Sequence, residues 1–202
     1  MRLLLVRHGA TAETGKRLSG RLPGVGLSES GRATVERLAG RLADLTLDAV
    51  YTSPVERCAE TAEIIARPHH VRPREIEDLT EADYGRWTGR TLTSLYRLKA
   101  WPRLMAGASR FRFPDGETLR EVQARAVGTI EHLATRHGGG ALAAVSHADV
   151  IRVILAHYLG APLDLVHRLN IDPGSVSVVE LSTSGAVTVP VVNATPDMVR
   201  LP

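Results

Sequence analysis

The chain has 202 residues and a net charge of only +3, from 25 Lys or Arg against 22 Asp or Glu. At this length one domain buries about 70% of the surface that its unfolded chain exposes, so it needs no disulfide bond, metal site or partner for stability. The single cysteine excludes an internal disulfide framework, no apolar run approaches the roughly 20 residues of a membrane helix, and the first apolar run is too short for a secretory signal, so we expect one cytoplasmic domain over residues 1–202.

Short apolar runs predict the strands. Residues 3–6, 47–51 and 141–145 are each bounded by polar residues or glycine, which is typical of buried strands. Residues 176–181 and 186–192 flank a Ser-Thr-Ser-Gly segment and predict a closing hairpin. Helical patterns separate the earlier strands. This alternation predicts an α/β fold in three layers, a mostly parallel sheet with helices on both faces.

Four amphipathic helices are predicted between and after these strands. The first follows a Ser28 cap, and the second begins at a capping box opened by Ser53 with Pro54 at the first helical position. The third follows Asp115, and the fourth follows His147. Each helix therefore begins close to the end of a strand or turn that carries polar residues.

Polar residues with phosphate-binding chemistry follow three of the predicted strands. Arg7 and His8 end the first, Arg57 lies in the helical turn after the second, and His147 ends the third. Ligands of open α/β sheets bind beyond the carboxyl ends of the strands. We therefore expect two guanidinium groups and two imidazoles around one small anion.

Each of these residues also has a plainer interpretation. A helical arginine is most often solvated, but Arg57 lies off the apolar face, and its fork can bind two phosphate oxygens. A lone histidine is most often a hydrogen-bonded core or surface residue, but His147 opens a helix whose N–H groups at Ala148 and Asp149 can also face an anion. Apart from Asp149, neither strand-end histidine has a partner at metal-ligand spacing, so we expect no metal site.

Residues 84–113 carry seven Lys or Arg and no Asp or Glu, together with six of the eight aromatic residues. A basic, aromatic segment suggests an anionic partner. It is predicted to form a cap over the site, and its charge suggests a substrate with anionic groups besides the one that reacts. Two alternatives stay open: a solvated arginine-rich helix packed by its rings, or a nucleic-acid-binding surface with a vestigial pocket.

Four motifs occur in a fixed order along the chain: Arg7-His8-Gly9-Ala10-Thr11; Tyr51-Thr52-Ser53-Pro54 with Arg57 and Thr61-Ala62-Glu63; Leu79-Thr80-Glu81-Ala82-Asp83-Tyr84-Gly85-Arg86-Trp87-Thr88-Gly89; and Ser146-His147 with Ile151-Arg152. Together they resemble the histidine phosphatase superfamily, the group of the phosphoglycerate mutases and the phosphatases similar to them. The resemblance implies a phosphoglycerate mutase-like fold with a small helical cap.

The resemblance also implies roles for individual residues. His8 matches the nucleophile that becomes phosphohistidine, and Arg7 and Arg57 match the phosphate-binding arginines. His147 matches the second histidine of the pocket, with its charge state left open, and Glu81 matches the proton donor. On sequence physics alone, four other carboxylates are equally good donors: Glu75, Glu77, Asp78 and Asp83.

Further substrate contacts are implied at Thr14, Gly20, Tyr84 and Ala148. Thr14 stands where the family often has Asn, and Ala148 where it often has Gly, which leaves the identity of the substrate open. The implied reaction is hydrolysis of a small anionic phosphate ester without metal or cofactor. Phosphoglycerate mutase-type transfer is the alternative, and a homodimer is left open.

The chemistry sets two requirements on protonation. Glu81 should be neutral when the leaving oxygen departs, which needs a raised pKa. His8 should be neutral, with one ring nitrogen donating to a backbone carbonyl so that the other is free to attack.

Overall fold

The computed structural model describes residues 1–198. Within that range there are six strands: β1 (Arg2–Arg7), β2 (Ala49–Thr52), β3 (Arg74–Glu75), β4 (Ala141–Ser146), β5 (Val176–Leu181) and β6 (Val187–Ala194). The same range contains six α-helices: α1 (Glu29–Leu42), α2 (Glu56–Ala66), α3 (Leu92–Tyr96), α4 (Ala100–Ala106), α5 (Leu119–His137) and α6 (Ala148–Tyr158). The five predicted strands and the four predicted helices are present in the predicted order, whereas β3 has no counterpart in the sequence prediction.

The strands form one open sheet in the order β3-β2-β4-β1-β5-β6. β1, β2, β3 and β4 are parallel, whereas β5 runs antiparallel to β1 and β6 antiparallel to β5. The predicted mostly parallel sheet and its closing hairpin are therefore confirmed. Because β1, β2 and β4 are adjacent and parallel, their carboxyl ends lie at one edge of the sheet.

Alternate residues of β1 belong to two separate cores. Leu4 and Val6 pack in the apolar cluster that α1 and α2 cover, while Leu3 and Leu5 pack in the cluster formed with α5 and α6. Side chains of a strand alternate between the two faces, so a run apolar at every position requires cover on both sides. The expected three layers are present.

The start of α2 differs from its sequence prediction. Ser28 caps α1 as predicted, but Ser53 does not cap α2, which begins at Glu56 after an N-cap residue without a side-chain bond. The Ser53 hydroxyl instead lies 2.9 Å from the ring of His147. The predicted capping box at this position is wrong, because the helix begins later: the Ser53 hydroxyl accepts from the Val55 N–H at 3.3 Å, before the first helical residue, and also contacts His147.

Helix α5 begins later than the sequence suggests. Its cap is Thr118, in a reciprocal capping box with Glu121, whereas Asp115 lies in the preceding turn with φ +59°. The box satisfies two backbone N–H groups at the helix start.

The segment 84–113 crosses the carboxyl edge of the sheet with little regular structure. It contains α3 and α4, and 3₁₀ turns at Gly85–Trp87 and Ala108–Arg110. Its rings pack on one another, for example Trp87 on Phe113 and Trp101 on Tyr96. We call it the cap.

Candidate active site

The ends of β1 and β4 lie side by side. Arg7 pairs in register with Ser146, and the backbone N–H of His8 donates to the Ser146 carbonyl at 3.0 Å. The next residue of each strand carries an imidazole, and the rings of His8 and His147 lie edge to face with centroids 5.3 Å apart. The structure thus brings together the two histidines that the sequence separates by most of its length.

The tautomer of His8 follows from its two partners. Arg57 Nε lies 3.1 Å from His8 Nε2, and because a guanidinium nitrogen can only donate, Nε2 must be the acceptor. The hydrogen is therefore on Nδ1, which lies 2.8 Å from the Gly9 carbonyl oxygen. Burial, with the charges of Arg57 and Arg7, holds the pKa of His8 well below its ordinary value. The ring is neutral, and its lone pair is on Nε2.

The buried side chain of Arg57 and the half-buried side chain of Arg7 line the cavity together with His8, and each has an unused donor. Arg57 Nη2 donates to the Gly20 carbonyl at 2.7 Å and Arg7 Nη1 to the Ile171 carbonyl at 2.5 Å. Arg57 Nη1 and Arg7 Nε are buried without a hydrogen-bond partner. A buried unsatisfied donor costs about 1–3 kcal/mol, and more when charged, so these two groups indicate an anion site.

Gly20 fixes the position of Arg57 through its backbone. Its φ of +55° is disfavoured for other residues, and an added Cβ would lie 3.1 Å from the ring of Tyr84. Gly20, predicted as a substrate contact, therefore presents a carbonyl that holds the arginine.

His147 lies behind the cavity rather than in its wall. Its side chain is fully buried and contributes nothing to the cavity lining. Nδ1 accepts from Arg57 Nη2 at 3.1 Å, which leaves the hydrogen on Nε2, 2.9 Å from the Ser53 hydroxyl. In this structure the ring contacts Arg57 and Ser53, and its predicted contact with the anion stays a prediction.

The charge state of His147, left open by the sequence, follows from its surroundings. Burial first, and then His8 and the arginines, hold its pKa well below the ordinary value. A neutral His147 supports Arg57 and adds no positive charge to the site.

Geometry selects Glu81 among the five candidate carboxylates. Glu81 is buried and lines the cavity, whereas Glu75, Glu77 and Asp78 are exposed and Asp83 is half-buried. Burial, and then the neighbouring charge of Asp149, raise the pKa of Glu81 to about 7. A carboxyl group with this pKa can both give and accept a proton near neutral pH.

A polar network beside Glu81 was not anticipated. The Tyr84 hydroxyl donates to Asp149 Oδ2 at 2.7 Å, and Arg152 Nη1 donates to Asp149 Oδ1 at 2.8 Å. Burial would raise the pKa of Asp149, but Arg152 and Tyr84 outweigh it and lower that pKa. The spacing of Asp149 and Arg152, three residues apart at a helix start, is the signal in the sequence.

The remaining predicted contacts also line the cavity. Thr14 and Ala148 do so, although the Thr14 hydroxyl already accepts from the Thr11 N–H at 2.9 Å. Tyr84 lines it with its ring. Ala148 begins α6, so a helix N-terminus opens at the cavity wall.

The cavity has a volume of about 380 Å³ and extends from Arg7 and His8 outward beneath the cap. The side chains that the cap contributes are apolar or aromatic: Tyr84, Trp87, Leu92, Tyr96, Trp101, Leu104, Met105 and Phe113. In this structure none of the seven cap Lys or Arg side chains lines the cavity. The charge of the cap therefore gives no support to the prediction of a substrate with further anionic groups.

Within residues 1–198, no three His, Cys, Asp or Glu side chains are grouped to hold a metal ion. No helix of the same range is both long enough and apolar enough to cross a bilayer.

Comparison with known sequences gives a family match over nearly the whole chain. Residues 3–194 match the model described as "Histidine phosphatase superfamily (branch 1)". The chain is 33% identical over 197 residues to the bifunctional protein Rv2228c of Mycobacterium tuberculosis, covering 96% of this chain but 54% of that protein, so it spans about half the length of this relative. It is 29% identical over 188 residues to phosphoserine phosphatase 1 of Hydrogenobacter thermophilus, covering 90% of this chain and 87% of that protein.

Solved structures share the fold. YhfR of Bacillus stearothermophilus superposes with a TM-score of 0.89 at 29% identity, covering 96% of this chain and 97% of that one. The mycobacterial glucosyl-3-phosphoglycerate phosphatase Rv2419c superposes with a TM-score of 0.86 at 22% identity, covering 96% of this chain and 99% of that one. At the lower identity the likeness concerns the fold alone.

Proposed function

Because the chain belongs to the histidine phosphatase superfamily, we propose that it hydrolyses phosphate monoesters through a phosphohistidine formed on His8. One observation carries this proposal: a neutral imidazole, with its lone pair on Nε2, lies beside two buried guanidinium donors that have no partner. A phosphate dianion supplies the acceptors that Arg7 Nε and Arg57 Nη1 lack. The catalytic residues of the proposal are Arg7, His8, Arg57 and Glu81, with His147 positioning Arg57.

In the first step Arg57 exchanges partners. When phosphate oxygens accept from Arg57, its Nε–H leaves His8 Nε2, and that lone pair becomes free to attack phosphorus. The bond from nitrogen to phosphorus forms as the bond from phosphorus to the ester oxygen breaks. The leaving oxygen takes the proton of Glu81, while Nδ1–H on the Gly9 carbonyl stabilises the positive charge on the ring.

In the second step water replaces His8. Ionised Glu81 accepts a proton from the water that attacks phosphorus, the bond to Nε2 breaks, and inorganic phosphate leaves. Glu81 is then neutral again. The arginines hold the same phosphoryl oxygens in both steps, so positioning and charge complementarity supply most of the rate.

The reaction is tested with p-nitrophenyl phosphate and ethyl phosphate in EDTA between pH 5 and 8. The wild-type protein is expected to release phosphate from both esters. If neither ester released phosphate, the proposal would be contradicted. Salt-sensitive oligonucleotide binding by the same protein would then favour a nucleic-acid-binding module.

Hydrolysis is separated from mutase activity by a second assay. Incubation with 3-phosphoglycerate and 2,3-bisphosphoglycerate is expected to give inorganic phosphate. Prompt appearance of 2-phosphoglycerate would overturn hydrolysis as the principal reaction.

A further inference from the structure

The outer part of the cavity is apolar and lies open. Tyr96 and Met105, both in its lining, are 54% and 44% exposed. The walls between them and the phosphate end include Leu92, Trp101 and Leu104. Exposed apolar surface that is continuous with a site of polar chemistry is typical of ligand binding.

The rings of this wall are held in place by one another. Trp101 stacks on Trp87 with centroids 6.1 Å apart, and Tyr96 meets Trp101 edge to face at 4.8 Å. Aromatic pairs of this kind resist rearrangement. The apolar wall is therefore a formed surface, available to the part of the substrate that carries the phosphate.

Charges elsewhere in the cavity are already paired. Arg152 bonds Asp149 and the Leu169 carbonyl, and Arg17 bonds Glu13 at 2.9 Å and the Gly89 carbonyl. Of the cationic side chains that line the described cavity, only Arg7 and Arg57 have a donor that is buried and unpartnered. Apart from Arg7 and Arg57, a second anionic group on the substrate would meet arginines whose charge a neighbouring carboxylate already offsets.

The cations of the cap lie on its other side. Arg103 and Arg110 line a different groove, as does Arg112, which is paired with Glu121 at 2.7 Å. Arg86 pairs with Asp115 at 2.9 Å, and both of those side chains are exposed. The cap therefore offers rings to the cavity and charges to solvent.

His167 offers a neutral polar group to the cavity. His167 lines it, and its Nε2 is buried without a partner. Burial holds the pKa of this imidazole below its ordinary value, against the charge of Asp149. A neutral ring nitrogen can hydrogen-bond one hydroxyl or carbonyl group, but it does not select for a second charge.

We propose, on the basis of the hydrolysis above, that the preferred substrate is a phosphate monoester of an aromatic or apolar alcohol that carries no second charged group. The phosphate binds between Arg7 and Arg57, and the alcohol part packs on Trp101, Tyr96 and Met105. Burial of that part against the cap favours binding in proportion to the apolar area removed from water.

The test compares esters whose leaving groups are all primary alkoxides, so that leaving-group chemistry is matched. We expect kcat/KM for 2-phenylethyl phosphate to exceed that for ethyl phosphate and for 3-phosphoglycerate by about tenfold or more. A kcat/KM for 3-phosphoglycerate equal to or above that for 2-phenylethyl phosphate would overturn the proposal. Hydrolysis of ethyl phosphate in the same experiment keeps the phosphatase assignment intact, whereas release from none of the three esters contradicts that assignment instead.

Variants of one helix locate the effect. Met105→Arg in α4 places a cation at the exposed mouth of the cavity. We define the preference as kcat/KM for 2-phenylethyl phosphate divided by kcat/KM for 3-phosphoglycerate, and we expect this ratio to fall by about fivefold or more. Trp101→Ala is expected to lower kcat/KM for 2-phenylethyl phosphate relative to ethyl phosphate. Arg103→Ala, in the same helix but outside the cavity, is the control and should leave all three kcat/KM values unchanged. An unchanged ratio in folded Met105→Arg protein, or a loss of 3-phosphoglycerate turnover in Arg103→Ala, would contradict the proposal.

Discussion

The two ends of the cavity are built in opposite ways. At the strand ends, charged and titratable groups are buried and held by backbone carbonyls, as Arg57 is by Gly20 and His8 by Gly9. At the cap, the charges face solvent and rings such as Trp101 form the wall. In the proposed function, the strand ends supply chemistry common to every phosphate ester, while the cap selects the alcohol. The difference between the two ends also shows that the net charge of a segment does not reveal which of its faces a ligand meets.

The largest effect is expected at the nucleophile. His8→Ala removes the nitrogen that attacks phosphorus, so kcat should fall by about 10³-fold or more for every ester, with the order of preference unchanged. Steady-state phosphate release measures this loss. His132→Ala, which changes an exposed histidine of α5, should have wild-type rates, and activity in His8→Ala similar to that of this control would remove the nucleophile assignment.

A smaller loss is expected at Arg57. Arg57→Ala removes a guanidinium that contacts both imidazoles and offers a free donor to phosphate, so kcat/KM should fall by about 10²–10³-fold. Arg57→Lys keeps the charge but loses the forked guanidinium group. Its kcat/KM should therefore exceed that of Arg57→Ala by less than tenfold. If the lysine variant matched the wild type in kcat/KM, the geometric argument for two simultaneous contacts would fail.

The pH profile tests Glu81. Its raised pKa, about 7, keeps it protonated at lower pH, so turnover of ethyl phosphate should fall as pH rises through about 7. Glu81→Gln should remove this limb and lower kcat on ethyl phosphate by about 10²-fold. The loss should be much smaller for p-nitrophenyl phosphate, because its leaving group needs little protonation. Equal losses on both esters would contradict the role of Glu81 as proton donor.

The smallest effect concerns stability. A folded-state pKa raised above that of the unfolded chain means that the folded protein binds more protons between about pH 4.5 and 7, so its stability should decrease as pH rises through this window. Glu81→Gln lacks that titration. Between pH 4.5 and 8 its free energy of unfolding should therefore rise relative to that of the wild type by on the order of 1–3 kcal/mol. Thermal unfolding at several pH values measures the gain. Glu75→Gln, at an exposed position, should not show it, and a wild type that becomes more stable than Glu81→Gln with rising pH would refute the buried-carboxyl interpretation.

The fold and the strand-end residues could be predicted because their signals are local. Arg7 and His8 follow a short apolar run, and His147 stands between a short apolar run and the start of a helix. These local patterns place all three residues at strand ends, and the carboxyl ends of parallel strands meet at one edge of the sheet. The sequence pattern alone does not distinguish Glu81 from Glu75 and the other candidate carboxylates. Only the family resemblance selects Glu81, because the property that distinguishes it is burial, which depends on tertiary structure.

The parts that could not be predicted depend on packing between distant segments. The Ser53 hydroxyl contacts His147 because the neighbouring strand end brings the ring within 2.9 Å, and this partner lies far away in the sequence. The direction of the cap cations depends on how two short helices, α3 and α4, sit on the aromatic cluster. Segments this short have little hydrophobic periodicity from which a buried face can be read.

The central claim is that the donors at the strand ends hold a phosphoryl group while His8 bears it. Its most direct measurement is rapid quenching of the protein during turnover of a phosphate-labelled ester, followed by peptide mapping under alkaline conditions. The account predicts acid-labile, alkali-stable label on the peptide that contains His8, and no such label in His8→Ala. Sustained hydrolysis with no covalent label, or with the label on a different residue, would contradict it.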